Sequence, residues 1–144
     1  MPLDSKDFPD PSSLLEKNGE RFLIFYSSIV DGQLWCPDCR VVDELIKTTF
    51  LSEDAPHGIV IYVGDRATYV ASHQYHQFAV DITKTNRFFC AYSWKNSGNK
   101  YHGAPFNVTS IPTIIKVVDS KEVARLVDPN ITAQSLPAFV QQKD

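Results

Sequence analysis

Cys36 and Cys39 stand three residues apart in the pentapeptide Trp35-Cys36-Pro37-Asp38-Cys39, the segment whose residue types and spacing best suit covalent sulfur chemistry. The segment follows an apolar run that reads as a strand and opens a run that reads as a helix. The first amides of a helix have no intrahelical partners and carry partial positive charge, which favours an anion. A CxxC cysteine at such a position can become a thiolate far more readily than a free one. Cys36 is therefore the expected nucleophile. Cys39, nearly one helical turn on, is the expected resolving thiol, close enough to attack a mixed disulfide formed at Cys36. Pro37 suits the first turn, where its missing N–H costs nothing. Asp38 is favourable near a helix N-terminus but sets a negative charge beside the thiols. It reads either as a tuner of reduction potential and substrate choice or as a simple helix-end acid. Trp35 offers a flat apolar surface for docking a substrate, or else a packing aromatic.

These residues need elements to hold them. The run Arg21 to Ile29 (RFLIFYSSI) is aromatic and branched, as a buried strand requires. A polar connector, Val30 to Leu34, leads to Trp35. From Pro37 the apolar positions Cys39, Val42, Ile46 and Phe50 follow helical spacing. Gly58 to Val63 (GIVIYV) is a second buried strand. Ile111 to Val118 and Glu122 to Val127 read as a hairpin turning at Asp119-Ser120-Lys121, and a last helix runs from Thr132 to Gln142. A short helix is signalled over Ser12 to Lys17. Strands joined through a helix pair in parallel and a hairpin adds antiparallel strands, so the fold class is α/β, a central mixed sheet flanked by helices. The segment from Thr68 to Ser110 is rich in aromatics. It predicts a helix around Thr83 to Trp94 and an insert around Asn96 to Ala104 before the third strand.

With 144 residues, the chain has room for one domain, read here as residues 12–144 behind an acidic, proline-punctuated arm at residues 1–11. A formal net charge of −3 gives no cationic excess for nucleic acid or an anionic membrane. No apolar run is long enough to span a bilayer. Met1 to Pro11 lacks the basic start and apolar stretch of a secretory signal, and three cysteines are too few for a disulfide-stapled scaffold. A cytoplasmic, reducing setting is the expectation. The rival for the CxxC is a zinc site completed by Cys90 and one of His57, His73, His76 or His102, although no second CxxC or HxxxH accompanies it. Cys90, among Phe88, Phe89 and Tyr92, otherwise reads as a buried, inert thiol or as a regulatory one.

WCPDC after FLIFYSS, Gly64-Asp65-Arg66 closing the second strand and Ile111-Pro112-Thr113 opening the third together resemble the thioredoxin domain-containing protein 17 family, the small WCPDC thioredoxin-related proteins. The resemblance spans about residues 12–140; WCPDC and IPT are its specific parts. It implies a thioredoxin-like fold in which Pro112 is cis and faces the CxxC, leaving the backbone of Ile111 to pair with an extended substrate. It also implies a cytosolic disulfide reductase without a bound cofactor. Such an enzyme receives electrons from NADPH through thioredoxin reductase and acts on small or selected disulfides such as cystine. Thioredoxins proper carry Gly-Pro between the cysteines and an acid in the preceding strand. Here Phe22 to Ser28 has none, which leaves Asp38 or water to serve the resolving thiol. The aromatic segment is longer than the family pattern and could cover part of the groove beside Pro112. A binding or redox-sensing module that keeps the fold without efficient turnover is the alternative function.

Overall fold

We describe residues 3–64, 69–71, 87–89, 94 and 98–142 of a computed structural model, with the strand backbone alone at 69–71 and 87–89. Strand β1 (Leu3–Asp7) leads through a 3-10 turn (Pro11–Leu15) to β2 (Glu20–Tyr26). A two-residue hairpin, β3 (Ile29–Val30) and β4 (Gln33–Leu34), precedes helix α1 (Pro37–Phe50) and β5 (Gly58–Tyr62). There follow β6 (Tyr69–Ala71), β7 (Arg87–Phe89), β8 (Thr113–Val118), β9 (Lys121–Val127) and α2 (Ser135–Gln141).

The main sheet has the order β1-β5-β2-β8-β9. β5 pairs in parallel with both β1 and β2, while β8 runs antiparallel to β2 and β9. Helix α1 thus connects two parallel neighbours, β2 and β5, as a strand-helix-strand unit must. All of β2 but its first residue is buried, which explains why RFLIFY reads as a continuous apolar run rather than an alternating one. α1 buries Cys39, Val42, Ile46 and Phe50, the positions set by its period. Phe50 and Phe139 of α2 both meet Phe22, with ring centroids 5.5 and 5.7 Å away, so both helices lie on one face of the sheet. On the other face Phe25 packs against Tyr101 and Phe106 at 5.8 and 5.3 Å.

Several boundaries differ from the sequence reading. The arm expected at residues 1–11 is corrected: Leu3–Asp7 is a full edge strand of the sheet. Its side chains beyond Leu3 are exposed, so the main-chain ladder to β5 holds it and no apolar pattern announces it. The connector Val30 to Leu34 is a hairpin whose turn residues Asp31 and Gly32 have φ of 53° and 84°, the left-handed pair that a tight two-residue turn demands. The helix expected around Thr83 to Trp94 is interrupted by strand β7, paired antiparallel with β6; its other residues lie outside those described, apart from Trp94. Of the expected insert, residues 98–104 are described. There Asn99 Nδ2 donates to Val63 O at 2.8 Å and the Tyr101 hydroxyl to Pro9 O at 2.5 Å, so this end of the segment builds core under Phe25. The helix predicted from Thr132 begins at Ser135, whose amide donates to Thr132 Oγ1 at 3.0 Å. Among the described residues no helix is long and apolar enough to cross a membrane.

Candidate functional site

The chain leaves β2 at Ser27, a serine with no exposed surface, and two contacts from this residue fix the CxxC. Its hydroxyl accepts from the Cys36 amide at 3.1 Å, and its own amide donates to Cys39 Sγ at 3.5 Å. Cys36 is the N-cap of α1, with φ −87° and ψ 118°; its carbonyl accepts the first helical bond from the Arg40 amide at 3.1 Å. A cysteine is a poor cap because its side chain makes no capping bond here, so Ser27 satisfies the amide from the neighbouring strand. Pro37 and Asp38 occupy the exposed first turn.

Both thiols are free, and they differ in access. Cys36 is 7% exposed and Cys39 is 0% exposed. Burial pushes the Cys39 thiol well above the ordinary range. The Ser27 amide works against that rise, and the neighbouring Cys36 thiol, hydrogen-bonded to Cys39, adds to it. Cys36 Sγ also lies 3.9 Å from Ile111 O. The Ile111–Pro112 peptide is cis, as the resemblance implies. Pro112 O is taken by the Asp128 amide at 3.1 Å, which ties the end of β9 to this loop. The Asp128 carboxyl is raised by its own burial and then by the charge of Asp38, so two acids share this rim.

Cys36, Cys39 and Ile111 therefore meet, with Pro112 adjoining in sequence. Trp35 is fastened on another side: its indole Nε1 donates to Gly64 O at 2.8 Å while its half-buried ring packs on the core. Gly64 is a junction, since its carbonyl also accepts from the Ser28 amide and its own amide donates to Ser28 Oγ at 2.8 Å. Its φ of 115° is one that glycine adopts without strain. Gly64 is legible only as the close of the second strand, and Asp128 carries no sequence signal of a role. Two short polar residues at the end of an apolar strand were the available hint for the serines.

Two of the four histidines of the zinc alternative, His57 and His102, have partners in the structure. His57 Nε2 meets Asp4 at 3.0 Å, and both ring nitrogens of His102 face carbonyls, Val108 O at 2.9 Å and Trp94 O at 2.6 Å. No group of three or more His, Cys, Asp or Glu among those residues could hold a metal. His73, His76 and Cys90 lie outside the described residues.

A profile of the thioredoxin domain of thioredoxin domain-containing protein 17-like proteins matches residues 3–86. The chain belongs to this family. The match begins with β1, which agrees with the placement of that strand in the sheet. Beyond residue 86 the likeness to solved thioredoxin structures carries the fold. Trxlp from Edwardsiella tarda superposes with a TM-score of 0.56 at 12% identity, covering 97% of this chain and 99% of that one. Mitochondrial thioredoxin 3 from Saccharomyces cerevisiae gives 0.55 at 10% identity, over 96% and 92%. A thioredoxin from Halobacterium salinarum gives 0.54 at 14%, over 95% and 88%. No curated protein sequence matches the chain. The family protein described here thus has a thioredoxin fold with a free dithiol at the head of α1.

Proposed function

We propose that this protein is a thiol–disulfide oxidoreductase that reduces small or selected protein disulfides. The asymmetry of its two thiols supports the reading: one sulfur at the surface end of α1 beside the Ile111 carbonyl, the other sealed beneath it. The Cys36 thiolate attacks one sulfur of the substrate disulfide, forming a mixed disulfide and releasing the first substrate thiolate. The Cys39 sulfur then attacks Cys36 Sγ, which forms the Cys36–Cys39 disulfide and releases the second. Two electrons pass from the dithiol to the substrate. The main chain of Ile111, set by the cis bond to Pro112, pairs with an extended substrate, Trp35 and Pro37 supply apolar contact, and Asp38 biases against acidic partners. Electrons return from NADPH through thioredoxin reductase, with no cofactor bound to the chain. A reducing, cytoplasmic setting fits free thiols. Reduction of cystine coupled to NADPH through thioredoxin reductase tests this: the wild type should turn over and Cys36→Ser should lose the activity entirely. Turnover by Cys36→Ser at the wild-type rate would remove the assignment.

A further inference from the structure

The resolving step requires somewhere to put a proton. Cys39 is fully buried and its thiol is held above the ordinary range, so the sulfur that must attack Cys36 arrives protonated at neutral pH. The stretch from Phe22 to Ser28 offers no acid, and Asp38 sits on the exposed first turn.

Beside α1 lies a cavity of about 440 Å³, lined among others by Tyr26, Arg40, Asp43, Lys47 and Tyr62. Asp43 follows Cys39 by four residues on α1, which places both on the same helix face. Tyr26 adjoins Ser27, the residue whose amide touches Cys39 Sγ. The Tyr26 side chain is 2% exposed, and its hydroxyl makes no hydrogen bond of good geometry among the described residues. The Asp43 carboxylate is the side chain that this hydroxyl meets by hydrogen bonding as well as by charge. Burial raises this hydroxyl most, and negative charge on Asp43 and then on Cys39 raises it further. The Asp43 side chain is itself 28% exposed, held by Lys47 Nζ at 3.0 Å, so a proton arriving there can leave to solvent.

We propose that Asp43 is the proton acceptor for Cys39 during resolution of the mixed disulfide, reached through the Tyr26 hydroxyl in the wall of this cavity. The inference rests on the exchange chemistry proposed above and names what drives its second step. As Cys39 Sγ bonds to Cys36 Sγ, its proton passes to Tyr26 Oη while the Tyr26 proton passes to the Asp43 carboxylate. The bond from Cys36 to the substrate sulfur breaks, and the departing thiolate takes the electron pair and then a proton from water. Asp43 afterwards returns its proton to solvent, so protons and electrons balance. Lys47 from α1, Tyr26 from β2 and Tyr62 from β5 interact with Asp43, and Arg40 from α1 and Asp4 from β1 line the same cavity.

The chromogenic disulfide of thionitrobenzoate reports both steps in one stopped-flow trace. Capture at Cys36 releases the first chromophore and resolution by Cys39 the second. Asp43→Asn should leave the first phase within about twofold of wild type and slow the second by about tenfold or more. The second phase should then rise about tenfold per pH unit, as hydroxide replaces the lost acceptor, where the wild type is flatter. Tyr26→Phe should slow the same phase, and Asp43→Glu should keep most of its rate. A second phase at the wild-type rate with the wild-type pH profile, in either Asp43→Asn or Tyr26→Phe, overturns the route. A wild-type protein with no fast first phase would overturn the exchange chemistry itself, which is a distinguishable failure.

Discussion

Replacing Ser27 by alanine removes one oxygen and should both loosen the dithiol and weaken the fold. The Ser27 hydroxyl is the acceptor for the buried Cys36 amide at 3.1 Å, and no capping side chain on α1 stands ready to take over. Leaving a buried N–H without a partner costs about 1–3 kcal/mol. Residue 27 has no exposed surface, so water has no path to the amide without a local shift. About 2 kcal/mol is the central expectation, equivalent to a fall in Tm of roughly 4–8 °C for a chain of this size. Urea unfolding at 25 °C, read by tryptophan fluorescence, should show a lower midpoint with an unchanged slope. Ser28→Ala is the internal comparison. Its hydroxyl accepts from the partly buried Gly64 amide at 2.8 Å, and its loss should cost less, about 0.5–1.5 kcal/mol. A Ser27→Ala loss below about 0.5 kcal/mol, or no greater than that of Ser28→Ala, would refute the view that strand β2 supplies the missing cap.

Stability should fall as pH rises above about 9, because Cys39, Tyr26 and Tyr101 are all raised in the folded state by burial and keep protons that the unfolded chain gives up. Each such group contributes a slope of about −1.4 kcal/mol per pH unit beyond its unfolded pKa, and Cys39→Ser should flatten the curve between about pH 9 and 10 by one group, as urea titrations at stepped pH would show. Gly58→Ala should lower stability by about 1–3 kcal/mol in the same assay, since the added Cβ would stand 2.9 Å from Phe50 Cδ1 and 3.2 Å from Leu3 Cδ1 inside the core. Asp128→Asn should raise Tm at neutral pH, where the raised carboxyl is ionised at a cost, and the gain should vanish as pH falls below the ordinary aspartate range.

Much of the frame was legible because its residues repeat a period. Cys39, Val42, Ile46 and Phe50 predicted α1 and are the four residues it buries. The apolar runs of β2 and β5 and the hairpin of β8 and β9 likewise announced themselves. Strand β1 did not, because an edge strand with exposed side chains is specified by its main-chain partner rather than by its own pattern. Arg87–Phe89 lies in an aromatic stretch whose short apolar run suits helix or strand alike, and pairing with β6 decided it. At the site, the dithiol and its cis-proline partner could be named from WCPDC and IPT. Ser27, Gly64 and Asp43 could not, because their roles come from contacts across 9, 29 and 17 residues of chain that only the folded sheet creates.

The central claim is that Cys36 captures and Cys39 releases, and covalent trapping tests it most directly. Cys39→Ser and Cys36→Ser, each fully reduced and then exposed to cystine near neutral pH, are compared by intact-mass spectrometry with peptide mapping. The account predicts a persistent cysteinyl adduct at residue 36 in the first variant and none at residue 39 in the second. Equal adducts on both variants, or an adduct at residue 39 alone, would contradict it.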